Sequence, residues 1–324
     1  MMLLFFGPLI LLSSGLVIDI WLIFLLYIVS GLGMSGIGMC VMHDAIHGSY
    51  SRFPIVNKLL GLSFNLIGAN ATVWKIQHNV LHHTFTNIDA ADDDLNMPSF
   101  LRFSPHAKHY WIHRFQHWYV WLIYGVSTVF WVTAKDFVRF NRYRKLGLLG
   151  QEKQHKYILG QIIAWKVFYF SYALILPLIM IPQASWIIIL AFLSMHFITG
   201  LMISSVFQIA HIMPNTEFPL PDKNGMVAGD WHSHQLATTS NFSPGSRLFS
   251  WLIGGLNYQV EHHLLPHICH IHYRELSGIV ATTAHEFEIP YNTKKTFIGA
   301  LRDHFNMLRD LGQNQGASIR SAAA

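Results

Sequence analysis

Residues 3–42 hold a single acid, Asp19, and neither lysine nor arginine. Wound as helix at about 1.5 Å per residue, such a run would reach ~60 Å, twice the ~30 Å thickness of bilayer hydrocarbon. Lipid gives a backbone no hydrogen-bond partner, so a segment within it must be helical, and this one is too long for one crossing. It predicts two spans, about 3–20 and 21–42, turning at Asp19. A second apolar run, from Trp165 to Ile212, is broken at Ile181-Pro182-Gln183-Ala184-Ser185 and predicts spans over about 165–181 and 186–211. The expected fold is all-α and integral to the membrane: four transmembrane helices in two hairpins, in a single domain over 1–324.

Basic residues set the orientation. Of 22 lysines and arginines, 13 fall between residues 43 and 159 and eight beyond residue 212, with Lys166 near a span end; the two short turns carry none. Cytoplasmic segments collect positive charge, so 43–160 and 212–324 are expected on the cytoplasmic side as a helical cap. Trp118–Ala134 is apolar for 17 residues; a crossing there would put the middle and the tail on opposite faces, so it is read as lying in or dipping into the interface. Ile55–Val73, interrupted by Lys58, Asn65 and Asn70, is only a weak span candidate. No charged n-region with a cleavage site opens the chain, so no removable signal peptide is expected, and there is room for a cytosolic leader ahead of residue 1. Cys40 and Cys269 are read as free thiols. No internal repeat is found, and low complexity is confined to the last dozen residues.

A chain only 12% charged and 52% hydrophobic nevertheless carries 21 histidines. They cluster. HDAIH places His43 and His47 four apart after the second span; QHNVLHH supplies His78, His82 and His83; QVEHH supplies His262 and His263; His211 ends the fourth span. Residues i and i+4 share a helical face, close enough to ligate one ion. Ionisable groups near a membrane are retained for function, so eight imidazoles at one cytoplasmic mouth point to metal. Four ligands satisfy a structural zinc, so eight imply two ions. Zinc and copper pairs remain open on ligand type, whereas few nearby carboxylates in a redox site point to iron poised for dioxygen. Asp44 and Glu261 adjoin ligand positions and are expected to orient ring N–H groups.

These motifs, in this order, resemble the three histidine boxes of membrane fatty acid desaturases. Gln259 at the head of the third box, within GGLNYQVEHHLLP, and HHTFTNIDAADDDL after the second resemble the front-end acyl desaturases, especially bacterial members similar to linoleoyl-CoA desaturases. The likeness covers about His43 to Asn292. It implies two irons held by His43, His47, His78, His82, His83, His211, His262 and His263, with Gln259, which replaces a histidine of related enzymes, as a weak ligand, a holder of water, or a neighbour. It implies no catalytic residue beyond the ligands, dioxygen as co-substrate, and a cis double bond and water as products. Fatty acyl-CoA or acyl-lipid is the implied substrate and the bacterial inner membrane the implied location. Many relatives carry a fused cytochrome b5 with an H-P-G-G motif. None occurs here, so neither haem nor flavin is expected in the chain, and two electrons must come from a separate ferredoxin, or cytochrome b5 with its reductase. No nucleic-acid partner is expected.

Other residues take plainer readings. His106, His109, His113 and His117 form a packing or interfacial stripe, and His196 a hydrogen-bonded interior residue. His234 is placed near the site, His267, His270 and His272 on the surface, and Asp92, Asp93 and Asp94 in a turn or beside the ligands. Trp74, Gln77 and Trp231 are candidates to line an acyl tunnel. Arg139, Arg142, Arg144 and Lys145 are read mainly as positive-inside charge. Rival functions are a related di-iron hydroxylase or ketolase, a zinc hydrolase, and, more remotely, a histidine-lined metal transporter, although transport sites sit near the midplane and these histidines do not.

Overall fold

The structure, a computed structural model, describes residues 1–314; the final low-complexity residues lie largely outside them. It is mostly helical. Helix α1 spans Met2–Ser13 and α2 Ile20–His47, the latter through a π-helical turn at Ile37–Met42. Ala71–Lys75 forms α3, continued by a π-helical turn over Ile76–His82. Gln116–Phe130 is α4, Glu152–Met180 α5, and Ser185–His211 α6. Shorter helices follow: α7 Trp231–Thr238, α8 Gln259–Leu264, α9 Tyr273–Glu286 and α10 Phe297–Gly312. Among the described residues, α2, α5 and α6 are long and apolar enough to cross a membrane. At 12 residues, α1 alone reaches only ~18 Å. Asp19 does mark the turn: its carboxylate accepts from the Leu22 amide at 2.8 Å and caps α2. Helix α5 begins at Glu152, earlier than the apolar pattern indicates, because hydropathy locates lipid-compatible residues and not helix ends. Lys166 lies inside this helix. The Trp118–Ala134 stretch is helical, mostly within α4, and continues through a π-helical turn at Trp131–Lys135.

The chain divides into two compact units. The first comprises Met1–Ile76 and Leu122–Ser204. Its core gathers Phe5, Leu9, Ile23, Tyr27, Tyr169, Ile188 and Met195. Apolar residues gain nothing by leaving lipid for protein, so close backbone approach and interhelical hydrogen bonds hold such helices together. Both are present. A Cβ on Gly33 would lie 2.3 Å from the Phe5 amide nitrogen, and one on Gly31 2.6 Å from the Met195 carbonyl oxygen. Ser30 Oγ donates to the Phe5 carbonyl at 3.0 Å, Thr199 Oγ1 to Gly31 at 3.0 Å, and the Tyr27 hydroxyl to Ala173 at 3.0 Å. The two lysine-free turns meet, with Gln183 Nε2 donating to the Ile18 carbonyl at 2.6 Å. Buried Lys166 donates to Asp136 Oδ2 at 2.7 Å and to the Gly68 and Trp131 carbonyls at 2.9 Å each. His196 is the interior residue expected: its Nε2 is 2.8 Å from the Tyr169 hydroxyl and its Nδ1 3.2 Å from Thr128 Oγ1.

The second unit comprises Gln77–Trp121 and the chain from Ser205 onward. A parallel ladder pairs Asn241 with Thr293 and Phe242 with Lys294. Helix α10 packs so closely that a Cβ on Gly312 would lie 2.1 Å from the His113 carbonyl oxygen. Gln116 Nε2 donates to Leu308 and the Arg102 guanidinium to Leu311. Asn87, at φ +59°, donates from its amide to the carbonyls of His211 and Glu217 at 3.0 Å each, tying distant segments together.

Candidate metal centre

The second box owes its geometry to an unusual winding. In an α-helix, His83, five residues after His78, would point well away from it. The segment Ile76–His82 is π-helical, and a ring closed at i+5 brings both the fourth and the fifth residue back beside the first. Ring centroids of His78 and His82 are 5.2 Å apart, and those of His78 and His83 4.7 Å apart. The Nε2 atoms of His78 and His83 are separated by 3.3 Å. The i, i+4 pair and His83 thus all present their rings on one side.

The third box and the end of α6 join them. One ring nitrogen from each of His82, His211 and His263 lies within 4.8 Å of the others, and the same holds for His83, His262 and His263. His82 Nε2 and His211 Nε2 are buried and have no hydrogen-bond partner among the described residues. Such atoms cost free energy unless something binds them. His43 and His47 belong to the first unit, with ring centroids 4.9 Å apart and Trp74 at 5.8 and 6.3 Å from them.

The far sides of these rings are held in place. Asp92 Oδ1 and Oδ2 lie 3.0 and 3.1 Å from His82 Nδ1, and Asp92 also accepts from the amides of Asn87 and Asp94. Burial resists a charge on His82, but the carboxylates of Asp92 and Asp94 outweigh it and raise its pKa to about 9 in the metal-free protein. Asp94 takes a hydrogen bond from Gln77 Nε2 and lies 3.5 Å from His78 Nδ1. The Tyr273 hydroxyl is 3.2 Å from His262 Nδ1, Gln235 Oε1 2.8 Å from His263 Nδ1, and the Thr238 carbonyl 3.4 Å from His211 Nδ1. Imidazoles backed this way present the opposite nitrogen to a metal. The donor set, mainly imidazole with a few carboxylates alongside, fits a transition metal such as zinc, copper, iron or nickel.

The sequence profile of the family described as Fatty acid desaturase matches residues 19–295. The chain belongs to the fatty acid desaturase family. It is 34% identical over 296 residues to an sn-1 linoleoyl-lipid 6-desaturase of Arthrospira platensis, covering 91% of this chain and 79% of that one. An sn-1 linoleoyl-lipid 6-desaturase of Synechocystis is 32% identical over 88% of this chain and 79% of its own length. An acyl-lipid (8-3)-desaturase of Physcomitrium patens is 34% identical over 85% of this chain but only 58% of the longer moss protein. The enzyme is thus an oxidoreductase whose chemistry is acyl desaturation, and that chemistry calls for a metal cofactor and dioxygen.

Several residues of the desaturase do other work than the motifs alone indicate. Glu261 was expected to orient a neighbouring ring, but its carboxylate accepts instead from Asn241 Nδ2 at 2.8 Å and the Tyr291 hydroxyl at 2.7 Å. Asn241 Oδ1 in turn accepts from the Val260 amide at 2.9 Å, so this cluster clamps the third box to the chain near the β-ladder. Burial pushes the Glu261 carboxyl up against both bonds. Asp44 Oδ1 stands 3.6 Å from His43 Nδ1, beyond direct hydrogen-bond reach. Gln259 is buried at the start of α8, and its Nε2 has no partner among the described residues. His234 is half-buried with its Nε2 likewise unpartnered, while Trp231 donates to the His83 carbonyl at 3.2 Å. The stripe is structural: the Nε2 atoms of His106, His109 and His113 meet the carbonyls of Phe218, Gly312 and Ser99 at 2.7–2.9 Å, and His117 packs on Phe305. His267 and His272 are exposed. Gln235 and Tyr273 were missed because they stand far in sequence from the rings they hold and form no motif with them.

Proposed function

We propose that this desaturase introduces a cis double bond into a fatty acyl chain, acyl-lipid or acyl-CoA, using dioxygen and two electrons from a separate ferredoxin or cytochrome b5. We assign two irons to His78, His82, His83, His211, His262 and His263, with His43 and His47 completing the set through the family motif alone and Gln259 as a further neutral donor. Bound there, the metals would supply the dioxygen reduction needed to remove hydrogen from unactivated methylenes, which no side-chain acid or base achieves. The chain's own residues orient the ligands: Asp92 holds His82, Tyr273 holds His262, and the Glu261–Asn241–Tyr291 cluster fixes the backbone between them. The cis product, the donor class and the acyl carrier are assigned by resemblance to the acyl-lipid desaturases.

The observation that carries this reading is the buried trio His82, His211 and His263, two of whose ring nitrogens have no partner among the described residues. Purified enzyme should hold close to two irons per chain by metal analysis. His82→Ala and His262→Ala should each abolish desaturation in a desaturase-free host while the protein still inserts; activity surviving in both would overturn the assignment. Hydroxylated lipid without new double bonds would favour the hydroxylase reading.

The proposed membrane arrangement is one domain with four spans in two hairpins. Met2–Ser13 and the residues up to Asp19 form the short first span, α4 lies at the interface, and the histidine-bearing segments face the cytoplasm, in a bacterial inner membrane. The hydrogen bond between Gln183 and Ile18, which joins the lysine-free turns, supports it.

A further inference from the structure

Gln235 belongs to no histidine box, yet it is completely buried and touches two of them. Its Oε1 lies 2.8 Å from His263 Nδ1 and 3.0 Å from the Thr86 hydroxyl, and its Nε2 donates to the His83 carbonyl at 3.1 Å. The amide can face only one way. Turned over, its oxygen would oppose the His83 carbonyl, acceptor against acceptor, so the oxygen must face His263. His263 Nδ1 therefore carries the proton and donates it, which leaves the lone pair on Nε2.

We propose that Gln235 is a positioning residue of the metal centre: it fixes the tautomer and ring angle of His263 and supplies a backing without charge. The proposal rests on the metal centre assigned above and concerns how one ligand is tuned. Its neutrality distinguishes this position from the second box, where His82 is backed by the Asp92 carboxylate at 3.0 Å. A carboxylate behind an imidazole strengthens it as a donor and favours the more highly charged metal; an amide orients the ring without doing so. His262, backed by the Tyr273 hydroxyl, and His211, by the Thr238 carbonyl, share the neutral arrangement. Among the described residues, a carboxylate stands within hydrogen-bond distance behind His82, whereas an amide oxygen stands behind His263 and a backbone carbonyl behind His211. Helix α7 makes this possible: Asp230 caps it by accepting from the His232 and Ser233 amides at 2.9 and 3.1 Å, and the Thr239 hydroxyl donates to the Gln235 carbonyl at 2.5 Å, so the amide is carried on a fixed turn.

The test separates orientation of His263 from simple tethering of His83. Gln235→Leu removes the hydrogen bonds to His263, Thr86 and His83; Gln235→Glu keeps an acceptor for His263 and Thr86 and loses the donor to His83. Metal-stripped enzyme in detergent is titrated with cobalt(II) and followed by its visible absorption, with the melting temperature of each metal-free variant measured alongside. Gln235→Leu is expected to weaken one cobalt site about 10–100-fold, the usual effect of removing a ligand's hydrogen-bond partner. Gln235→Glu is expected to bind at least as tightly as the parent and, loaded with iron, to show a lower reduction potential. Parent-like cobalt affinity in Gln235→Leu would refute the proposal, as would Gln235→Glu binding as weakly as Gln235→Leu. If Gln235→Leu does not fold, the Gln235→Glu comparison decides alone. Failure of the parent itself to bind cobalt would overturn the metal centre and this proposal with it.

Discussion

Replacing Lys166 with methionine isolates the energetics of a charge buried among membrane helices. Lys166 is 8% exposed and Asp136 1% exposed at their side chains, and the ammonium meets three acceptors. Methionine fills similar space but leaves the Asp136 carboxylate without its counter-ion and the Gly68 and Trp131 carbonyls without that donor. Removing one member of a buried pair costs about 3–5 kcal/mol, chiefly because the other charge is stranded. Trp131 Nε1 still donates to Asp136 at 3.2 Å, which softens the loss slightly. The double variant Lys166→Met/Asp136→Leu removes both charges and should recover at least about 2 kcal/mol of the loss, since apolar replacements of such pairs are often near neutral. Apparent unfolding free energies in detergent across the four-member cycle measure this coupling. The pH dependence has a definite sign. Burial already pushes the Asp136 carboxyl up against the pull of Lys166; without the ammonium it rises further. The penalty in Lys166→Met should then be largest at high pH and shrink as falling pH protonates Asp136, at a pH above the ordinary carboxylate range. Additive single effects, or a penalty that grows in acid, would refute the reasoning.

Other consequences follow from packing and burial. Gly33→Ala should cost about 1–3 kcal/mol by forcing α1 away from α2, because its Cβ would fall 2.3 Å from the Phe5 amide nitrogen; a neutral effect on thermal stability would contradict the close approach. His304, buried and donating Nδ1–H to the Ile212 carbonyl at 2.9 Å, has its pKa pushed down to about 4. Its neutral form is required for folding, so its contribution is intact above about pH 6.5 and is lost as pH falls toward 4, a drop of about 3 kcal/mol. His304→Gln should flatten that part of the stability profile, as chemical unfolding at several pH values would reveal.

Some of this protein was legible in its residues. The absence of lysine and arginine between residues 3 and 42, the single acid at Asp19 and the break at Ile181–Ser185 mark the long apolar helices and their turns, because lipid tolerates no unpaired backbone. Histidines in short motifs named the metal-binding segments, since local spacing is itself a property of the chain. Tertiary structure decided the rest. No periodicity announces the π-helical winding that brings His83 beside His78. Gln235, Tyr273 and Asp92 hold their histidines across 28, 11 and 10 residues, and Glu261, next to His262 in sequence, turns toward Asn241 and Tyr291. A hydrogen bond depends on where two side chains end up after the chain has folded, and adjacency in sequence fixes that only within a turn of helix.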